Sequence, residues 1–206
     1  MTERLLTACI LLLLSGCAHD PAAAARNLAQ AEDALYACRC KAVGLTSGRD
    51  EAEGPERLWL ADESRIVQLD GPQGELELWR APTFSTIARM EAADLDGDGV
   101  DEWVVLVQAA RMRSHVVALR GGVRQSVGKP WGGYLRPMQD AQGATILVGQ
   151  RAGGDQPFRG GVEQVAWDPQ TGDFTQGEGI QLPPRLSLFD FVWLPGEPER
   201  LYALED

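Results

Sequence analysis

Residues 94–107 read Asp94-Leu95-Asp96-Gly97-Asp98-Gly99-Val100-Asp101-Glu102-Trp103-Val104-Val105-Leu106-Val107. The first part of this stretch carries chemistry and the second carries architecture. Carboxylates at alternate positions 94, 96 and 98, then a glycine and a further acid at 102, make a cage of hard oxygens. Such a cage suits Ca²⁺, which takes about 6–8 oxygen ligands in flexible geometry. Asp94, Asp96 and Asp98 each offer a carboxylate, and Gly99 allows the sharp turn. The Val100 carbonyl and the Glu102 side chain close the ring. Five acids within nine residues repel one another when no cation lies among them. The run Trp103–Val107 is β-branched and aromatic, which favours a strand. The expectation is a Ca²⁺ loop between two strands. The plainer alternative is a solvated acidic turn, since Asp-Gly pairs are common hairpin signals.

An EF-hand shares the first half of this pattern. Its bidentate Glu at the twelfth position would fall on Val105, and it needs a helix on each side. The pattern Asp-x-Asp-x-Asp-Gly-x-x-Glu followed by an apolar strand instead resembles the FG-GAP/VCBS repeat, the calcium loop of integrin-α-like β-propellers. The resemblance covers nine residues and the strand after them. Glu102 stands where that family more often has Asp, a change that keeps a ligating carboxylate. The resemblance implies a propeller-like β domain in which one Ca²⁺ is structural.

A weaker repeat surrounds this stretch. Glu56-Arg57-Leu58-Trp59, Glu102-Trp103-Val104-Val105 and Glu199-Arg200-Leu201-Tyr202 each place an acid before an apolar or aromatic strand. Gly54, Gly99 and Gly196 precede them. The separations suit a unit of about 40–50 residues, the length of a propeller blade. A degenerate member is expected near residue 150, where Thr145–Val148 follows Asp140–Gly143. Aligning Glu199 on Glu102 places Phe191, Trp193 and Pro195 at the ligand positions, so one Ca²⁺ site is expected. Further strands are expected at 57–60, 66–69, 76–79, 115–119, 145–148, 162–167 and 189–194, with turns at 70–74 and 168–172. The fold expectation is all-β: a partial propeller-like array of short antiparallel sheets, about three to four degenerate repeats over 55–206. Each motif strand is read as the first of its unit, and an array this short leaves sheet edges in need of cover.

The N-terminus reads as an export signal. Leu5–Leu14 is an apolar core too short to span a bilayer, which takes about 20 helical residues, but right for a signal peptide over 1–16. Leu14-Ser15-Gly16-Cys17 resembles a bacterial lipobox, which implies lipidation of Cys17, by acyl chains such as palmitate. Ala18 follows it, and the resemblance implies an outer-membrane lipoprotein. Asp20-Pro21 reads as the start of a helix. Leu28, Ala31, Leu35 and Cys38 form its apolar stripe, so 17–43 is expected to be an anchored helical lead-in and 44–54 a polar linker.

Composition narrows the function. The chain of 206 residues carries a net charge of −11, and loss of Glu3 and Arg4 with the signal leaves that unchanged. Such an acidic chain is a poor ligand for nucleic acid or for an anionic membrane surface. Cys38 and Cys40 remain after processing. In an oxidising compartment they could form a disulfide, stay as inert thiols, or make a Cys-x-Cys metal site. The two histidines, His19 and His115, stand in no nucleophile–base pattern, and no Gly-x-Ser-x-Gly or phosphate-cradling loop appears. Gly121-Gly122 and Gly160-Gly161 read as turns. Trp79, Trp131, Tyr134, Trp167 and Trp193 could line a ligand surface, although core packing is their commoner use. Lys129–Tyr134 is the best exposed recognition loop. The expected function is a non-enzymatic lipoprotein module, held to the outer membrane through its lipid and offering a surface to a protein or glycan partner. The alternatives are a structural subunit whose open sheet a partner chain completes, and a metal-dependent envelope enzyme.

Overall fold

The computed structural model describes residues 42–69, 76–140, 143–152, 158–180, 188, 191–193 and 201–203. The signal peptide, Cys17, Cys38, Cys40, nearly all of the helical lead-in and the 70–74 turn lie outside them. The described residues are all-β and contain no helix.

The chain folds as successive antiparallel meanders. The first sheet is β1 (Ala42–Gly48), β2 (Arg57–Asp62), β3 (Arg65–Gln68) and β4 (Leu76–Arg80), side by side in chain order. The second repeats this with β5 (Thr86–Ala93), β6 (Glu102–Gln108), β7 (Met112–Arg120) and β8 (Val123–Ser126). The third is β9 (Gly133–Gln139), β10 (Thr145–Ala152), β11 (Phe158–Trp167) and β12 (Phe174–Ile180). A final pair, β13 (Phe191–Trp193) and β14 (Leu201–Ala203), completes the described strands.

The repeat read in the sequence falls on β2, β6, β10 and β14. Each is the second strand of its sheet, not the first. The preceding strands lack the signal for physical reasons. In β1 the glycines that suggest a linker allow close approach: Gly44 lies against the Met90 backbone, and a Cβ on Gly48 would sit 2.5 Å from the Trp59 ring. Residues 44–48 are therefore strand, paired with Arg57–Ala61, which corrects the expected linker over 44–54. In β5 a bulge between Ile87 and Arg89 breaks the alternation that would reveal a strand. Gly160 and Gly161 lie within β11 rather than in a turn.

The second sheet is the middle layer. Trp103, Val105 and Val107 of β6 pack with Trp59, Ala61 and Ile66 of the first sheet. The alternate residues face the other way: Val104 meets Leu135, Leu147 and Val165, and Leu106 meets Tyr134, Val148 and Val162, all of the third sheet. Successive side chains of a strand point to opposite faces, so a strand covered on both faces must be apolar at every position. That is why Trp103–Val107 shows no polar alternation. Burying a large apolar side chain contributes about 1.5–3 kcal/mol, so β6 is a major source of cohesion.

Strand direction places the loops. The acidic connection 94–101 and the β1–β2 connection 49–56 share one end of the stack, joined where Asp101 N–H donates to the Arg49 carbonyl at 2.9 Å. The other end holds Ala42, paired with Asp62, together with the β2–β3, β4–β5 and β6–β7 connections. There Ala81 N–H donates to the Ser64 carbonyl and Ile87 N–H to the Glu63 carbonyl, both at 2.9 Å.

Candidate metal centre

The loop between β5 and β6 is built by its own carboxylates. Asp94 accepts the Gly97 N–H on Oδ1 at 2.7 Å and the Gly99 N–H on Oδ2 at 3.0 Å. Asp96 accepts the Asp98 N–H at 3.3 Å, and Asp98 accepts the Val100 N–H at 2.8 Å. These are successive Asx turns, in which a short acid satisfies the backbone two or more residues on. Gly97 and Gly99 take φ of 81° and 83°, a left-handed region that favours glycine. The Gly99 face also packs on Ala52 of the neighbouring loop, so a Cβ there would meet Ala52 Cβ at 2.9 Å.

This winding gathers three of the expected ligands. Asp94, Asp96 and Glu102 each present an oxygen within 4.8 Å of the others. Asp98 is not part of this trio, and Val100 meets Asp98 through its N–H. Glu102 opens β6 and is only 3 % exposed. Burial pushes its carboxyl up to about 7, and the neighbouring Asp96, Asp98 and Asp94 act in the same direction. A hydrogen bond from Leu95 N–H at 3.0 Å opposes this in part. Burial, followed by the Asp98 charge, also raises Asp96. A buried acid drawn toward two others is held at a cost that a cation at their centre would remove. The donor set, carboxylate oxygens with neither sulfur nor imidazole, fits Ca²⁺ rather than Zn²⁺ or Cu²⁺.

A second group of residues carries no local sequence signal. Asp101 lies outside the trio and accepts the Arg49 N–H at 2.6 Å. Its carbonyl accepts Arg124 Nη1 at 2.6 Å, while Arg124 Nη2 pairs with Asp50. The Arg124 guanidinium lies over the Trp103 and Trp59 rings, which meet edge-on with centroids 5.2 Å apart. Arg124 thus clamps both loops to the two indoles behind them. The acids Asp50 and Asp101 were visible in the sequence, but Arg124 lies 23 and 74 positions away from its two partners.

The remaining candidates are mostly core. Trp79, Trp131 and Tyr134 are buried, and Trp167 packs against the cluster between the second and third sheets. Trp193 lies in β13, its side chain outside the description. In Lys129–Tyr134 Lys129 and Gly132 are exposed, but the aromatic side chains are not: Trp131 bridges to Ser114 of β7, and its ring stacks edge-on with Phe174. His115 sits in β7 with its ring 6.2 Å from Trp79, and burial, then the Arg113 charge, lowers its pKa.

No protein-family model matches the chain, and no curated protein matches it significantly.

Proposed function

We propose that this chain is a non-enzymatic envelope lipoprotein whose FG-GAP/VCBS-like blades are stiffened by one Ca²⁺ at Asp94, Asp96 and Glu102. The observation that carries the reading is that trio, gathered at the first turn into the most buried strand of the middle sheet. Asp98 and the Val100 carbonyl, from the same loop, complete the ligand set. The ion, when bound, supplies charge neutralisation and nothing chemical. The residues do the rest: Asp94 shapes the loop, and Glu102 couples it to β6.

Four-stranded antiparallel meanders repeated along the chain are the construction of a propeller array. Lipid on Cys17 holds the module to the outer membrane, and the β domain presents itself to a protein or glycan partner. Extracellular-type calcium sites bind at roughly 10⁻⁴–10⁻³ M, which suits a compartment not depleted of the ion.

The test is the melting temperature of the chain in chelator and then with Ca²⁺ or Mg²⁺, beside an Asp96→Ala/Asp98→Ala variant. A Ca²⁺-selective rise that the variant lacks supports the site. An unchanged melting temperature in the intact chain returns the loop to an acidic turn.

A further inference from the structure

Phe84 is the most exposed large apolar side chain among the described residues, 97 % open to solvent. It is also the one described non-glycine residue with positive φ, at 63°. That conformation disfavours a bulky side chain. The turn is nonetheless well defined: Ser85 N–H donates to the Pro82 carbonyl at 3.1 Å, and Ser85 Oγ reaches the same oxygen. A strained backbone therefore holds an aromatic ring out at the tip of the β4–β5 connection.

The surroundings of that tip differ from the rest of this acidic chain. Residues 81–86 contain no acid. The same end of the stack carries Arg65, paired with Asp62, and Arg80, paired with Glu77, together with Arg111 and Arg113 at the β6–β7 connection and the acid Glu63. The opposite end carries the two acidic loops. The chain also enters the β domain at the Phe84 end, since Ala42 pairs with Asp62 beside the 81–86 connection. Leu76 and Val123, the other exposed large apolar side chains among the described residues, open β4 and β8 at the acidic end.

We infer that the Phe84 end faces an anionic phospholipid bilayer, with the Phe84 ring inserted at the headgroup level and Arg111 and Arg113 against lipid phosphates. Aromatic rings favour that interface, and basic residues are attracted to anionic lipid there. The net charge of −11 opposes approach to such a surface at long range, but among the described residues the two acidic loops, 49–56 and 94–101, lie at the end away from Phe84. The inference rests on the reading that Cys17 anchors the chain, which brings this end toward the membrane and leaves the calcium end free for a partner.

The experiment compares the full chain with its Phe84→Trp variant on vesicles of phosphatidylethanolamine and phosphatidylglycerol with brominated acyl chains. The emission added by the new indole should shift to the blue and be quenched. Replacing phosphatidylglycerol with phosphatidylcholine, or adding Arg111→Glu/Arg113→Glu, should weaken that quenching by about tenfold in lipid concentration. Phe84→Gly, which suits the positive φ, should fold and bind vesicles more weakly than the parent chain. Unshifted, unquenched emission overturns the inference, whether or not the chain floats with the vesicles. So does a shift that appears only when envelope protein is added, which would mark a protein contact instead. The acyl mass on Cys17, measured separately, tests the anchor: an acylated chain with unquenched emission removes the inference alone, and quenching without acylation removes the anchor alone.

Discussion

The Arg124 guanidinium lies 4.5 Å from the centroid of the Trp103 ring. Its side chain is 1 % exposed, and Trp103 is fully buried. A cation in that position is tolerable because Asp50, the Asp101 carbonyl and two indole faces all meet it. The clamp ties the first sheet to the second at the end that carries the acidic loop.

Arg124→Ala removes the guanidinium and leaves Asp50 and the Asp101 carbonyl without it. Breaking a buried pair costs about 3–5 kcal/mol, and the partial exposure of Asp50 places this case near about 3 kcal/mol. For a domain of this size each kcal/mol is about 2–4 °C, so thermal unfolding should fall by about 10 °C. A fall of a degree or two would mean that the clamp is incidental.

Asp94 and Asp96 belong to the same trio but should behave differently. Asp94 accepts two backbone N–H groups, so Asp94→Ala should cost about 1–3 kcal/mol even in chelator. Asp96→Ala loses one long hydrogen bond and relieves repulsion, so it should be near neutral in chelator. Both should abolish the Ca²⁺-dependent rise. Denaturant titrations with and without the ion separate the two roles, and equal behaviour in chelator would contradict the loop geometry.

Glu102 sets a pH dependence with a definite sign. Its carboxyl is raised in the folded chain to about 7 from an ordinary 4.5. Its contribution is therefore fully present below the unfolded value and lost as pH rises through about 7. Metal-free protein should lose stability as pH rises from 4.5 to about 7. Glu102→Gln should flatten that slope. Ca²⁺ should do the same by holding the ionised form, so its apparent affinity should rise with pH. A slope identical in Glu102→Gln would assign the effect elsewhere.

Ser114 joins the second and third sheets. It is fully buried, donates Oγ–H to the Gly133 carbonyl and accepts the Leu135 N–H, each at 2.9 Å. Ser114→Ala orphans both partners, at about 1–3 kcal/mol for an unsatisfied buried group. A loss of about 2–4 kcal/mol is expected in urea unfolding. Amide exchange should also accelerate at Leu135 before it does in β2, and uniform acceleration would argue against a local joint.

The hairpin turn at 168–172 and the acidic loop were legible because their chemistry is local. Asp168 accepts the Gln170 N–H just as Asp98 accepts that of Val100, and such short-range bonds need only the neighbouring residues. The strand after the loop was legible from its β-branched run. Strands β1, β8, β9 and β12 were not, and β5 was expected only as the strand before the loop, without bounds, because each is held at the edge of a stronger neighbour rather than by its own pattern.

By itself, then, the sequence determined the all-β class, the acidic loop with its Asx turns, and the apolar strand leaving it. Those features depend on backbone propensity and on hydrogen bonds spanning a few residues. Only the tertiary structure decided that β6 is covered on both faces, that Glu102 rather than Asp98 joins the trio with Asp94 and Asp96, and that Arg124 locks the loops. Burial and long-range pairing depend on which strands come to lie side by side, and no local stretch of the chain records that.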